Sequence, residues 1–141
     1  MMKKIIGVTV AIFLFASCSN KKKENESPGT TDNKVALHSD TLNMVKLTDT
    51  MVIYESTCRG CAYEQSTHFD ISDSMGLVKL EKIITTDNNS PDMNGGNISK
   101  QLVLVPVKTG KTIIKMYKFW KEPATPEDSI KFVPYIIEIK N

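Results

Sequence analysis

Three cysteines, two histidines and one tryptophan are the residues of this 141-residue chain best equipped to react, to ligate or to anchor. Two of the cysteines stand close together in Ser56-Thr57-Cys58-Arg59-Gly60-Cys61-Ala62-Tyr63. A Cys-x-x-Cys pair admits three chemistries. Redox exchange needs a helix N-terminus to lower one thiol's pKa. Here a β-rich run, Met51-Val52-Ile53-Tyr54, precedes the pair and a glycine lies inside it. Metal binding would take His68 as a third ligand, but no second cysteine pair completes a closed site, and His38 falls in polar sequence that reads as solvated. A disulfide is the third and favoured reading. Closing so short a loop removes little chain entropy, so its effect would be local stiffness, which lowers the cost of ordering a loop on binding. No metal or other cofactor is expected.

The third cysteine, Cys18, ends a different pattern. Lys3 and Lys4 precede eleven mostly apolar residues, Ile5 to Phe15, then Ala16, Ser17 and Cys18. A basic start, a short apolar stretch and small residues form a secretory signal, and the stretch falls short of the roughly 20 residues a bilayer span needs. With cysteine directly after the small pair, the segment resembles a bacterial lipoprotein signal. That resemblance implies a signal peptide over residues 1–17 and lipid attachment at Cys18. It also implies a cell-envelope location, with Ser19 favouring the outer membrane or cell surface. Lipidation of Cys18 leaves Cys58 and Cys61 as an even pair in an oxidising compartment. Residues 18–40 are dominated by Ser, Asn, Lys, Glu, Pro and Gly, a composition unable to offset its ordering entropy, and read as a flexible tether. The net charge is +2. No basic stripe is interleaved with aromatics, so nucleic acid is not an expected partner. Residues 41–141 remain, enough for a single small domain, expected to be monomeric.

The elements that must position these residues read as strands. Runs recur at Leu42–Leu47, Met51–Tyr54, Leu77–Ile83, Gln101–Val107, Thr112–Tyr117 and Phe132–Ile139. In the fourth of these, Leu102-Val103-Leu104-Val105 is the strongest apolar stretch. In the last, Val133, Tyr135, Ile137 and Ile139 share one face, while Pro134 marks an edge or bulge because it has no N–H for the ladder. In the third run, Leu77, Lys79 and Glu81 share a face. Residues 64–75 also admit a helical turn. Lys108-Thr109-Gly110-Lys111 reads as a tight hairpin, and long polar loops lie at 87–96 and 122–128. Short strands with polar loops predict an all-β, antiparallel sandwich.

Three stretches then form a set: Thr57-Cys58-Arg59-Gly60, Met93-Asn94-Gly95-Gly96 and Lys118-Phe119-Trp120. Their order and spacing resemble the chagasin family, Ig-like inhibitors of papain-type cysteine proteases. That family's three loops carry N-P-T-T-G-[FY]-x-W, G-x-G-G and R-P-W. Gly60 keeps the first motif's glycine, and Ala62-Tyr63 its small-aromatic ending. Ser56-Thr57-Cys58-Arg59 replaces Asn-Pro-Thr-Thr, Lys118 stands for Arg and Phe119 for Pro, while Trp120 is kept. The resemblance implies an Ig-like β-sandwich without catalytic residues. Its three loops, Thr57–Gly60, Met93–Gly96 and Lys118–Trp120, would fill a papain-type active-site cleft. Lys118 would meet an acidic rim and Trp120 would be the apolar anchor, whereas Tyr63 is expected in the core. An Ig-like surface adhesion module is the alternative, since fold alone does not fix function.

Overall fold

The computed structural model describes residues 33–141; the signal peptide, lipid-bearing Cys18 and most of the tether expected from the sequence lie outside the described residues. Among the described residues the alternation of apolar and polar side chains is realised as eight strands: β1 (Lys34–Ala36), β2 (Leu42–Lys46), β3 (Thr50–Cys58), β4 (His68–Asp73), β5 (Val78–Thr86), β6 (Asn97–Pro106), β7 (Gly110–Phe119) and β8 (Val133–Lys140). A 3-10 turn, Asp128–Ile130, precedes β8. The strands make two four-stranded sheets, ordered β1-β3-β6-β5 and β2-β8-β7-β4. All pairings are antiparallel except at one edge of each sheet, where β1 runs parallel to β3 and β2 parallel to β8.

The facing sides of the sheets carry the core. Met51 and Ile53 of β3 and Leu102 and Leu104 of β6 meet Ile114 and Met116 of β7 and Tyr135, Ile137 and Ile139 of β8. Period two puts every second residue of these strands inward, as the sequence predicts for Tyr135, Ile137 and Ile139. Pro134 pairs with Lys115 but lies beyond β2, whose register on β8 begins at Ile136. It is locally an edge residue inside a central strand.

Three expectations change. Residues 33–40, read from their polar composition as the end of the tether, are part of the folded unit. Val35 pairs with Met51, Leu37 is buried in the core, and the His38 backbone is bonded on both sides by the Asn43 amide. A three-residue apolar run, Val35-Ala36-Leu37, suffices for a short edge strand, too weak a signal to emerge from its surroundings. The 108–111 segment is not a hairpin, because β6 and β7 belong to different sheets. It is a crossover that passes over Leu77, whose carbonyl accepts from Val107 N–H at 2.7 Å. Gly110 is required there: its φ is +143°, and a Cβ would lie 2.9 Å from Leu77 Cδ1. In β5, Val78 is buried and Leu80 packs against the core, and an irregularity between Leu80 and Lys82 resets the register, so Leu77, Lys79 and Glu81 do not form a simple face. Residues 64–75 hold both readings in turn, a hydrogen-bonded bend from Tyr63 to Thr67 and then β4.

The end opposite the candidate loops is fastened by Asp73. Its carboxylate accepts from the backbone N–H groups of Met75, Leu77 and Val78 and from the Thr112 hydroxyl at 2.6–3.0 Å. Burial pushes this carboxyl up, but the hydrogen bonds from Thr112, Val78, Met75 and Leu77 outweigh it and hold it below the usual carboxylate range. Both sheets and the core lie within Thr31–Asn141, a self-contained unit.

Candidate functional site: three loops at one end of the sandwich

Strand register decides where the loops go. Cys58 at the end of β3 pairs with Asn97 at the start of β6, and Thr86 at the end of β5 pairs with Ser99. His68 at the start of β4 pairs with Phe119 at the end of β7. The first loop (59–67), the second (87–96) and the third (120–127) therefore leave the same end, two from the first sheet and one from the second. Lys118 ties the sheets together there: its Nζ donates to the Ser56 carbonyl at 2.6 Å and lies 3.5 Å from Glu55 Oε2.

Arg59 organises the second loop. Its backbone N–H donates to the Gly96 carbonyl at 2.9 Å. Its guanidinium donates to the carbonyls of Ser90 (3.1 Å) and Met93 (2.6 Å) and pairs with Asp87 Oδ2 at 2.9 Å. The Asp87 carboxyl is held below the ordinary value chiefly by the N–H and side-chain amide of Asn89, with the Arg59 charge adding to them. The Asn89 amide also donates to the Asn97 carbonyl at 2.8 Å, which wedges the side chain under Gly96. With φ at +110°, Gly96 has no room for a Cβ, which would lie 2.6 Å from Asn89 Oδ1.

Between the first and second loops runs an open groove of about 510 Å³, lined by Arg59, Gly60, Glu64, Pro91, Met93, Asn94 and Gly95. Glu64 Oε2 accepts from Gly60 N–H at 2.5 Å, so the first loop is braced on both sides. Cys58 and Cys61 form a disulfide with Cα atoms 5.9 Å apart, and both are half-buried.

The third loop is docked on the first. The Ser66 hydroxyl donates to the Trp120 carbonyl at 2.6 Å. The Trp120 ring meets Tyr63 edge-on, centroids 6.4 Å apart, with Lys118 Nζ 4.9 Å over its face. Trp120 remains 43% exposed. A second cleft, about 290 Å³, lies between Trp120 and Phe132 with Glu55, Lys118 and Lys131 in its walls.

The expected site residues thus separate into groups. Gly60, Met93 (52% exposed), Asn94, Gly96 and Trp120 share one end of the molecule and are exposed, with Gly95 half-buried among them. Thr57 does not: it is 2% exposed, and its hydroxyl is the buried side-chain atom without a protein partner among the described residues. Period two from Met51 and Ile53 points it inward, beneath the loop. Lys118 is likewise turned in, by parity with Ile114 and Met116, and its ammonium is engaged rather than offered to an acidic rim. Phe119 faces the outer side of the second sheet, between His68 (centroids 4.9 Å) and Tyr117 (5.7 Å). Tyr63, expected in the core, is 41% exposed and belongs to the surface beside Trp120. Sequence reading also passed over Glu64, Ser66, Asp87 and Asn89, whose polar side chains brace the loops and carry no motif of their own. His68, besides stacking on Phe119, points Nδ1 at the Ser66 carbonyl at 3.1 Å. Among the described residues no group of three or more His, Cys, Asp or Glu is gathered as metal ligands are.

No family model matches the sequence, and no curated protein matches it either. Solved structures do. The cysteine protease inhibitor EhICP2 from Entamoeba histolytica superposes with a TM-score of 0.53 at 18% identity, over 77% of this chain and 95% of that one. Amebosin, solved in solution, gives 0.49 at 14% identity, over 76% and 94%. This chain is an all-β sandwich with the fold of the cysteine protease inhibitor EhICP2.

Proposed function

We propose that this chain is a protein inhibitor of papain-type cysteine proteases, acting by reversible, non-covalent occlusion of the active-site cleft. The observation that carries the reading is the gathering of three loops at one end of a sandwich whose fold is that of a cysteine protease inhibitor. Of the motif residues, Gly60, Met93, Asn94, Gly95, Gly96 and Trp120 reach the surface there.

A cleft-blocking protein needs rigid, close-fitting backbone and an apolar anchor, not a catalytic group. Bracing by Arg59, Glu64, Asn89 and Ser66 supports rigidity, which reduces the ordering cost of association. Trp120 and Tyr63 supply apolar area with few rotatable bonds, the side-chain type that dominates interface energy. Lys118 contributes by fixing the mouth of the sandwich and the Trp120 face. The inhibitor is proposed to work as a monomer, held at the outer membrane or cell surface of a bacterium through lipid on Cys18, with the residues ahead of β1 as its tether. Residues 31–141 titrated against active papain test the reading: loss of peptide hydrolysis that recovers on dilution is expected, and full activity at micromolar inhibitor would refute it for that enzyme. Radiolabelled palmitate incorporation in expressing bacteria, abolished by Cys18→Ala, tests the anchor.

A further inference from the structure

The Cys58–Cys61 disulfide is a chemically reactive group on the three-loop face, and occlusion alone makes no use of it. It lies at the middle of that face. Arg59, between the two cysteines, is bonded to Gly96, Ser90, Met93 and Asp87 of the second loop. Tyr63, two residues past Cys61, packs on Trp120 of the third. The first loop is therefore flanked by both others. Its order does not rest on the disulfide alone, since Arg59 and the Glu64–Gly60 bond also hold it, and a bridge across so few residues removes little chain entropy. Both sulfur-bearing residues are half-buried rather than enclosed.

A papain-type cleft holds, at its floor, a cysteine ionised at neutral pH by its paired histidine. The middle of a wedge reaches furthest into a cleft. We propose that Cys58–Cys61 is a reactive disulfide that captures the target protease's catalytic thiolate as a mixed disulfide, a step that rests on the inhibitor reading above. The protease thiolate attacks Cys61 Sγ and forms a new S–S bond. The Cys58–Cys61 bond breaks, and its electron pair leaves with Cys58 Sγ, which takes the proton of the histidinium no longer paired to a thiolate. One disulfide is exchanged for another, so no external oxidant or reductant is consumed. Cys61 is the sulfur attacked because it stands in the bend beyond the strand, whereas Cys58 is fixed in β3 opposite Asn97. The released Cys58 thiol stays three residues away, so its return attack re-forms the original bridge and frees the protease. Capture is thus self-reversing unless Cys58 is blocked.

The test mixes residues 31–141, which lack Cys18, with active papain freed of reductant, and quenches with N-ethylmaleimide before non-reducing mass spectrometry. The expected species is papain plus this domain plus one maleimide, lost on reduction, with peptide mapping placing the link at Cys61 and the maleimide at Cys58. Papain alkylated beforehand with iodoacetamide should give no such species, a control independent of any variant's folding. The double substitution C58A/C61A should form no adduct. Inhibition by the unsubstituted domain with only unlinked masses after the quench would overturn the capture step and leave the inhibitor reading standing. Absence of inhibition, with or without an adduct, would overturn the inhibitor reading and this inference together.

Discussion

Lys118→Met separates a bracing lysine from a contact lysine. Lys118 Nζ donates to the Ser56 carbonyl at 2.6 Å, lies 3.5 Å from Glu55 Oε2 and sits 4.9 Å over the Trp120 ring. A hydrogen bond from a charged donor contributes about 1.5–3 kcal/mol. The ion pair is long and its side chains are 25% and 23% exposed, so solvent screening leaves it below about 1 kcal/mol. The ring contact adds about 0.5–1 kcal/mol at a partly exposed site. Methionine keeps the apolar stem packed and removes the ammonium's desolvation cost, which offsets about 1 kcal/mol of the loss. The net expectation is a destabilisation of about 2 kcal/mol, a fall of about 1–2 M in the urea midpoint at a slope typical of a small domain. Trp120 is the chain's single tryptophan, so native-state fluorescence reports directly on the site, and its emission should change once the cation leaves its face. Raised salt should weaken the unsubstituted protein only slightly, because the hydrogen bond to Ser56 is the larger part. A variant within about 0.5 kcal/mol of the parent, the range of ordinary surface changes, with unaltered emission would refute the bracing role.

Other consequences follow from the same geometry. Trp120→Ala should weaken protease binding by about 2 kcal/mol, roughly thirtyfold, with little change in thermal midpoint since the ring is 43% exposed; inhibition titration and calorimetry together check this. Gly96→Ala, which meets Asn89 Oδ1 at positive φ, should cost about 1–3 kcal/mol and reduce inhibition, measurable by urea unfolding and by papain titration. Asp73→Ala strips acceptors from three backbone N–H groups and a buried hydroxyl and should destabilise by about 2–3 kcal/mol. Because folding lowers the Asp73 pKa from 3.8, its contribution is fully present above that value and fades as the pH falls through the lower folded value. Acid unfolding curves of parent and variant should therefore begin to approach one another below about pH 4 and draw together as the pH falls through the lower folded value. Arg59→Ala should speed amide exchange across residues 89–96 without altering the exchange of β7 and β8.

The sandwich was legible where one rule applied without interruption. The alternation from Val133 to Ile139 and the apolar run in β6 needed only period two. That rule, carried two residues further along β7 from Ile114 and Met116, also places Lys118 inside and Phe119 outside; reading Lys118-Phe119-Trp120 as one contact motif hid the parity. Thr57 follows Met51 and Ile53 inward in the same way. Other features lay beyond local pattern. A short connection such as the one around Lys108–Lys111 has the same turn chemistry whether it joins neighbours in a sheet or crosses between sheets, and only the pairing of β6 with β5 and of β7 with β4 distinguishes them. β1 escaped because Val35-Ala36-Leu37 is a three-residue apolar run in polar surroundings, buried by the parallel edge that β3 offers. The motif glycines and Trp120 mark the loop end from sequence, but their bracing by Arg59, Asp87 and Asn89 depends on side-chain contacts across 30 residues of chain.

The central claim is that the three-loop end occludes a papain-type active site. The most direct measurement is the steady-state rate of papain on a fluorogenic peptide against increasing concentrations of residues 31–141, run beside W120A and G96A. The account predicts saturable inhibition that is competitive with substrate and reversed by dilution, with both variants shifted to higher concentration. Undiminished papain activity at micromolar domain, or inhibition identical for all three proteins, would contradict it.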